Sequence, residues 1–174
     1  MQRLVVIALV ALMHPASAKP ASSPEATSAS FLQAYEPLGA GGLPTRSKMG
    51  PLLQFTTPSL ADLLRTASRL EAESRCEGPP SIEGDLLWSL AEGAQHAQVK
   101  TCRVQGASAR CDIALRYTDR LRNETEEWVD KINLRKIKGI WLVDEVLTGA
   151  EWAPRRALKK VLVASIKANR SCAQ

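Results

Sequence analysis

The amino-acid sequence predicts an α+β fold in which helices pack on one face of a curved, four-stranded antiparallel sheet. The main observation is the region from residue 95 to residue 149, where apolar and polar residues alternate with the period of two that strands require. The second observation concerns the flanking segments. Apolar residues at helical spacing occur before this region, and another such segment follows it.

Four strands are predicted over residues 96–105, 108–118, 126–137 and 140–148. The second strand has one clearly apolar face, made of Cys111, Ile113, Leu115 and Tyr117. In the first strand the same register puts Gln98 and Lys100 on that apolar face. A β-bulge, or a sheet rim open to solvent, would accommodate them.

The second hairpin is predicted from its turn. Lys138 and Gly139 close it, which sets Leu134 opposite Val143. The same register places Asp144 on the solvated face, across from Asn133.

Helix boundaries follow from capping residues. Thr57 is an N-cap with Pro58 in the first helical position, and leucines follow at offsets of three and four. A short helix is expected to begin near Ser30 and to end before Pro37. Pro154 is expected to open the last helix. Residues 19–29 are rich in Ser and Pro, so we predict a disordered tether there.

The N-terminal eighteen residues read as a secretory signal peptide. Arg3 is followed by ten apolar residues and by a small-residue cleavage site that ends at Ala18. Ten residues are too few to span a bilayer, which needs about 20. We therefore expect cleavage near Ala18, a periplasmic or secreted location, and a single domain over residues 30–174.

Four cysteines in an exported chain predict two disulfides. If Gly106 and Ala107 are the centre of a tight turn, Cys102 and Cys111 face each other across the hairpin at a distance that a disulfide spans. Elimination then pairs Cys76 with Cys172. A zinc site is disfavoured because the chain has no CxxC pair.

The small number of histidines excludes several mechanisms. Once His14 leaves with the signal peptide, His96 is the only histidine, so a multi-histidine metal site cannot form. No nucleophile-elbow motif and no glycine-rich phosphate loop occur. We therefore expect no metal and no cofactor, and nucleic acid is an improbable partner in this compartment.

Four segments resemble a bacterial envelope family known only as domain of unknown function number 3828. They are MGPLLQFTTPSLADLL (49–64), IEGDLLWSLAEG (82–93), Trp128-x-Asp130 and GIWLVDEV (139–146), and the likeness spans roughly residues 31–166. That family is similar to the nuclear-transport-factor-two-like (cystatin-like) cone fold. The resemblance implies this fold and little chemistry, because the cone hosts isomerases, dehydratases, binding proteins and subunit adaptors alike.

Asp130 is the most interesting acid of the sequence. It shares an otherwise apolar strand face with Trp128 and Ile132, where a carboxylate is poorly solvated unless it is paired. Cone-fold enzymes commonly place an acid/base group in such a pocket, and Tyr117 and His96 could point into the same cavity. The alternative is that Asp130 lies at the sheet rim, where it is paired with an Arg or accepts backbone hydrogen bonds.

Two other groups of charged residues are candidate binding positions. Glu83 and Asp85 flank Gly84 and either cap the helical turn that follows or line the mouth of a pocket. From residue 151 onward the net charge is +5, and the cations nearest the start of the predicted helix are Arg155, Arg156, Lys159 and Lys160. They form either a solvated face or a contact for acidic envelope components.

The sequence therefore favours an exported, non-catalytic binding module, for a small apolar ligand in a cavity or for an envelope protein. One alternative is a lyase or isomerase that uses Asp130 as its acid/base group. Another is an inhibitor or immunity protein against an exported toxin.

Overall fold

A computed structural model describes residues 23–39, 41–76 and 79–172. Within them the helices are α1 (Pro24–Tyr35), α2 (Arg46–Leu53), α3 (Pro58–Glu73) and α4 (Leu158–Ser171). The strands are β1 (His96–Gln105), β2 (Ser108–Asp119), β3 (Glu124–Ile137) and β4 (Ile140–Leu147). The four strands form one antiparallel sheet in the order β1-β2-β3-β4, so the α+β class and the meander are confirmed.

Turn chemistry sets the two hairpins. Gly106 has φ 59°, which suits the first central position of the β1–β2 turn. Lys138 and Gly139 both have positive φ, as a type I′ turn requires, and Leu134 lies opposite Val143 as predicted. These turns fix which residues of each strand face the core.

Two bulges change the register that simple alternation predicts. Lys100 is an extra residue in β1, so Ala97 and Val99 turn inward while His96 and Gln98 are exposed. Of the two alternatives, a bulge or an open sheet rim, the structure has the bulge. In β4 the extra residue is Asp144, and Asn133 pairs with Glu145. The predicted pairing of Asp144 with Asn133 is wrong because the bulge adds one residue to β4.

The core lies between the helices and one face of the sheet. On β2 and β3 it is made of alternate residues, namely Ala109, Cys111, Ile113, Leu115, Trp128, Ile132 and Leu134. Helices α1, α3 and α4 supply further core residues, among them Phe31, Leu64 and Leu162. Val143 of β4 exchanges hydrogen bonds of 2.8 Å with Phe55 and Thr57, and Thr148 N donates to Arg156 O, so both segments cover the edge of β4.

Two helix starts differ from the prediction. Residues 24–29 are helical rather than disordered, because the Ser23 hydroxyl accepts from Ala26 N and Pro24 occupies the first helical position. The rest of the predicted tether, residues 19–22, and the predicted signal peptide lie outside the described residues. Helix α4 begins at Leu158 and not at Pro154, because Thr148 holds the carbonyl of Pro154 and the N–H of Arg156.

Both predicted disulfides are present. Cys102 and Cys111 are directly opposed across the β1–β2 hairpin, with Cα atoms 4.0 Å apart. Cys76, just after α3, is bonded to Cys172, which follows α4.

Candidate functional site

A cavity of about 500 Å³ lies between the C-terminal half of α1, the segment from Asp85 to Gln95, and the first residues of β1. We call it the α1–β1 cleft. Its apolar lining includes Leu32, Trp88 and Val99, while Asp85 and His96 provide polar groups. Its size falls within the range of about 300–1,000 Å³ that is usual for small-molecule sites.

Asp85 is the buried carboxylate of the cleft, with only 2% of its surface exposed. Its Oδ1 accepts hydrogen bonds from the Tyr35 hydroxyl (2.9 Å), Leu87 N (2.8 Å) and Trp88 N (2.9 Å). Burial raises the pKa of Asp85 above its ordinary value, although these donors and the charge of Arg156 act to lower it. Burial and the neighbouring Asp85 carboxylate also raise the pKa of Tyr35.

A tight loop holds Asp85 in place. Asp85 N donates a 2.7 Å hydrogen bond to Ala91 O, and Gly84 O accepts one of 2.7 Å from Gly42 N. Gly84 has φ +73°, and a Cβ at this residue would lie 2.7 Å from the Cβ of Ala91. Asp85 accepts from Leu87 N and Trp88 N, but the residues that follow form bends and not the predicted helical turn, and Asp85 also lines a cavity. Glu83 is exposed and lies outside the lining of the cleft.

The cleft is acidic in a chain whose net charge is +5. Three carboxylates line it, those of Glu36, Asp85 and Glu92, and the described lining residues include neither Lys nor Arg. Two buried aromatic rings stand beside Asp85. They belong to Tyr35 and Trp88 and meet edge to face with centroids 6.0 Å apart.

Asp130 lies on β3, fully buried, and does not line the α1–β1 cleft. Its Oδ1 accepts from Ser89 Oγ and Gly149 N, each at 2.7 Å. Its Oδ2 accepts from Ser89 N at 2.9 Å and from the indole N–H of Trp128 at 3.1 Å. Three of the four donors come from two loops, at Ser89 and Gly149, so the carboxylate ties β3 to both. Asp130 accepts backbone hydrogen bonds as the structural alternative predicts, but it is fully buried and not at the sheet rim.

The structure does not bring His96 and Tyr117 to Asp130. Asp130 lies opposite Ile113, and Tyr117 is four residues further along β2, about 13 Å away at strand spacing. His96 lies opposite Arg116 and is exposed, because the bulge at Lys100 turns it outward. His96 lines the α1–β1 cleft together with Asp85. Tyr35, the hydrogen-bonding partner of Asp85, was not among the candidate residues, since its only sequence signal was its place on a short apolar helix.

Three of the four predicted basic residues surround a second cavity, of about 380 Å³. Arg155, Arg156 and Lys160 line it, together with Arg110 and Lys131 from the sheet. We call it the basic cleft. The prediction that the basic residues belong to one helix is wrong, because Arg155 and Arg156 precede α4.

Lys159 has a different environment. Its Nζ lies 2.7 Å from Oδ1 of Asp144, whose other oxygen lies 3.2 Å from Arg135. Partial burial acts to raise the pKa of Asp144, but hydrogen bonds from Lys159 and Thr57 and the two nearby cations hold that pKa below its ordinary value. Lys159 therefore serves to join α4 to β4.

Among the described residues, no group of three or more His, Cys, Asp or Glu side chains is placed to hold a metal ion. None of the helices in the same part of the chain combines the length and apolar character needed to cross a bilayer.

No family model and no curated protein matches this chain. Among solved structures, the chain is similar to the solution structure of a SEC-C motif containing protein from Rhodopseudomonas palustris. The two are 17% identical over 74% of this chain and 80% of that chain, with a TM-score of 0.44. We draw no functional conclusion from a likeness of this size.

Proposed function

We propose that this protein is an exported, non-catalytic binding module that holds a small organic cation with an apolar body in the α1–β1 cleft. The observation that carries the proposal is the buried Asp85 at the wall of the cleft. The three hydrogen bonds that described residues give to Asp85 all end on Oδ1. Oδ2 is therefore the atom that would accept a hydrogen bond from the ligand.

Charge and shape support a cationic ligand. A buried carboxylate gains most from a partner that brings a positive charge, since that offsets the cost of desolvation. Glu36 and Glu92 add two negative charges at the cleft, and the lining includes Trp88, an aromatic residue of the type that attracts organic cations. Leu32 and Val99 provide contact for an apolar body.

Export and fold class form part of the same proposal. Two disulfides are compatible with an oxidising compartment, as the predicted signal peptide implies. The order of helices, four-stranded meander and helix, together with a bulge in β1 and another in β4, supports the nuclear-transport-factor-two-like cone and the resemblance to the envelope family.

The environment of Asp130 supports a non-catalytic role. An acid/base group must give and take a proton at a substrate, whereas both Asp130 oxygens already accept two hydrogen bonds each. The lyase or isomerase alternative and the toxin-inhibitor alternative stay predictions.

Native mass spectrometry of the protein purified from its own compartment tests the proposal. We expect a bound small-molecule mass on the wild-type chain and its loss from Asp85→Asn, whose amide oxygen can still accept the three internal hydrogen bonds. Asp62→Asn is the matched control, because Asp62 is exposed on α3. An adduct that survives Asp85→Asn, or a chain isolated free of any adduct, would argue against this function.

Three matched compounds then test the charge preference. Phenethylammonium, 2-phenylethanol and phenylacetate share one apolar body and differ in charge. We expect amide chemical shifts at residues 85–98 to move most with the cation and least with the anion. Equal or tighter binding of phenylacetate would contradict the cationic class.

A further inference from the structure

We propose that the basic cleft is a binding site for phosphate-bearing compounds, independent of the α1–β1 cleft. Its five cations come from four parts of the chain. Arg110 lies on β2, Lys131 on β3, Arg155 and Arg156 in the segment before α4, and Lys160 in the first turn of α4. The described lining contains no Asp or Glu.

These cations lack the salt-bridge partners that surface cations usually have, although the charge of Arg156 acts on the nearby buried Asp85 and helps to lower its pKa. Within the described residues none of the five forms a salt bridge. Arg110 donates to the amide oxygen of Asn133, and Arg156 donates to the carbonyl of Trp88, so both are oriented by neutral groups.

Three acids near the cleft, Asp144, Glu145 and Asp112, form no salt bridge with its cations within the described residues. Asp144 binds Lys159 and Arg135. Glu145 accepts hydrogen bonds from Lys159 N and Val146 N, and so occupies the N-terminus of α4. Asp112 is the cross-strand neighbour of Lys131 but forms no ion pair with it in the described part of the chain.

Clustered like charges favour an anion at this position. A space of about 380 Å³ is about 9 Å across, close to the Debye length of about 8 Å at physiological ionic strength. The cations in the cleft therefore repel one another with little screening, and a bound anion relieves that repulsion.

The side-chain types point to phosphate oxygens. Arginine presents a planar fork of donors that matches phosphate in a bidentate manner, and lysine adds a mobile point charge. Arg155, Lys160 and Arg110 are exposed, so the cleft is open to a phosphate carried either by a soluble compound or by a lipid headgroup.

Calorimetric titration of the mature full-length protein with pyrophosphate tests the site. We expect saturable binding that weakens as salt rises, and a loss of about tenfold in affinity for Lys131→Gln and for Lys160→Gln. Lys167→Gln is the matched control. It removes the same charge from an exposed position on the same helix, away from the cleft, and should change the affinity less than about twofold.

Vesicles separate the two sources of phosphate. Pyrophosphate binding without retention on phosphatidylglycerol vesicles assigns the site to soluble phosphate compounds. Retention on those vesicles that pyrophosphate competes away, and that Lys160→Gln weakens, assigns it to headgroups. The proposal is overturned if neither ligand binds, or if Lys167→Gln weakens binding as much as Lys131→Gln and Lys160→Gln do.

Discussion

The hydroxyl of Tyr35 donates a 2.9 Å hydrogen bond to Oδ1 of Asp85, and so links α1 to a loop that lies fifty residues further along the chain. Both residues are buried and both line the α1–β1 cleft. This contact therefore joins the stability of the fold to the shape of the proposed binding site.

Tyr35→Phe removes that hydrogen bond and leaves the aromatic ring in place. Because a hydrogen bond to an ionised group contributes about 1.5–3 kcal/mol, we expect the free energy of unfolding to fall by about 2 kcal/mol in urea denaturation. Tyr117→Phe is the control, since the Tyr117 hydroxyl has no hydrogen bond in the described residues, and it should cost less than about 0.5 kcal/mol. Equal losses for the two variants would contradict the role of the Tyr35 contact.

The raised pKa of Asp85 predicts a pH-dependent stability of definite sign. The unfolded chain releases this proton near the ordinary pKa of about 3.9, and the folded chain releases it at a higher pH. Stability therefore falls as pH rises through the window between the two values. Unfolding of wild type and Asp85→Asn across this range should show the wild type losing stability relative to the variant as pH increases. A difference that stays constant, or changes in the opposite direction, would contradict the burial argument.

Asp130→Asn tests whether Asp130 is structural. An amide nitrogen in place of Oδ2 would face two N–H donors, and in place of Oδ1 it would face the N–H of Gly149, so at least one donor opposes it whichever way the side chain is turned. We expect the free energy of unfolding to fall by about 3 kcal/mol. Asp112→Asn, on the opposite face of the sheet, should have little effect. An Asp130→Asn variant as stable as the wild type would revive the acid/base hypothesis.

Gly84→Ala should destabilise the loop that positions Asp85. The positive φ and the close approach of Ala91 both oppose a side chain there, so we expect a loss of about 2–4 kcal/mol in thermal or urea unfolding. Gly41→Ala provides the control. Gly41 lacks a positive φ and has open space around its Cβ position, so alanine should change the free energy of unfolding by less than about 0.5 kcal/mol. A neutral Gly84→Ala would show that the loop adjusts without strain.

The strands could be predicted to within about two residues because alternation and turn residues are local signals. Gly106 and Lys138-Gly139 fix the hairpins, and the pairing of Cys102 with Cys111 follows from the first of them. The start of α1 was missed because Ser23 and Pro24, a good N-cap and first residue, also resemble a disordered Ser- and Pro-rich segment. Local composition cannot distinguish a helix start from a disordered segment. The helix is stabilised by tertiary burial of residues such as Phe31.

The candidate site was predictable only in part. Asp85 was selected for its place beside Gly84, but the contact with Tyr35 is a tertiary one that no local pattern announces. Uninterrupted alternation would put His96 on the same face of β1 as Gln98 and Lys100, whereas the bulge turns it outward. A polar residue on an apolar face indicates a bulge but does not give its position in the strand. That position decides which side chains turn outward.

The disulfide between Cys76 and Cys172 makes the chain from one to the other a covalent ring that includes the four described strands and α4. A protease that cuts one peptide bond within this ring releases no fragment, because both new ends remain attached through the disulfide. On a denaturing gel, protein cleaved once within the ring would therefore separate into two fragments only after reduction of the disulfide. A cut in a loop of the sheet therefore leaves α3 and α4 held together, which would protect the protein from proteases if it is exported as proposed.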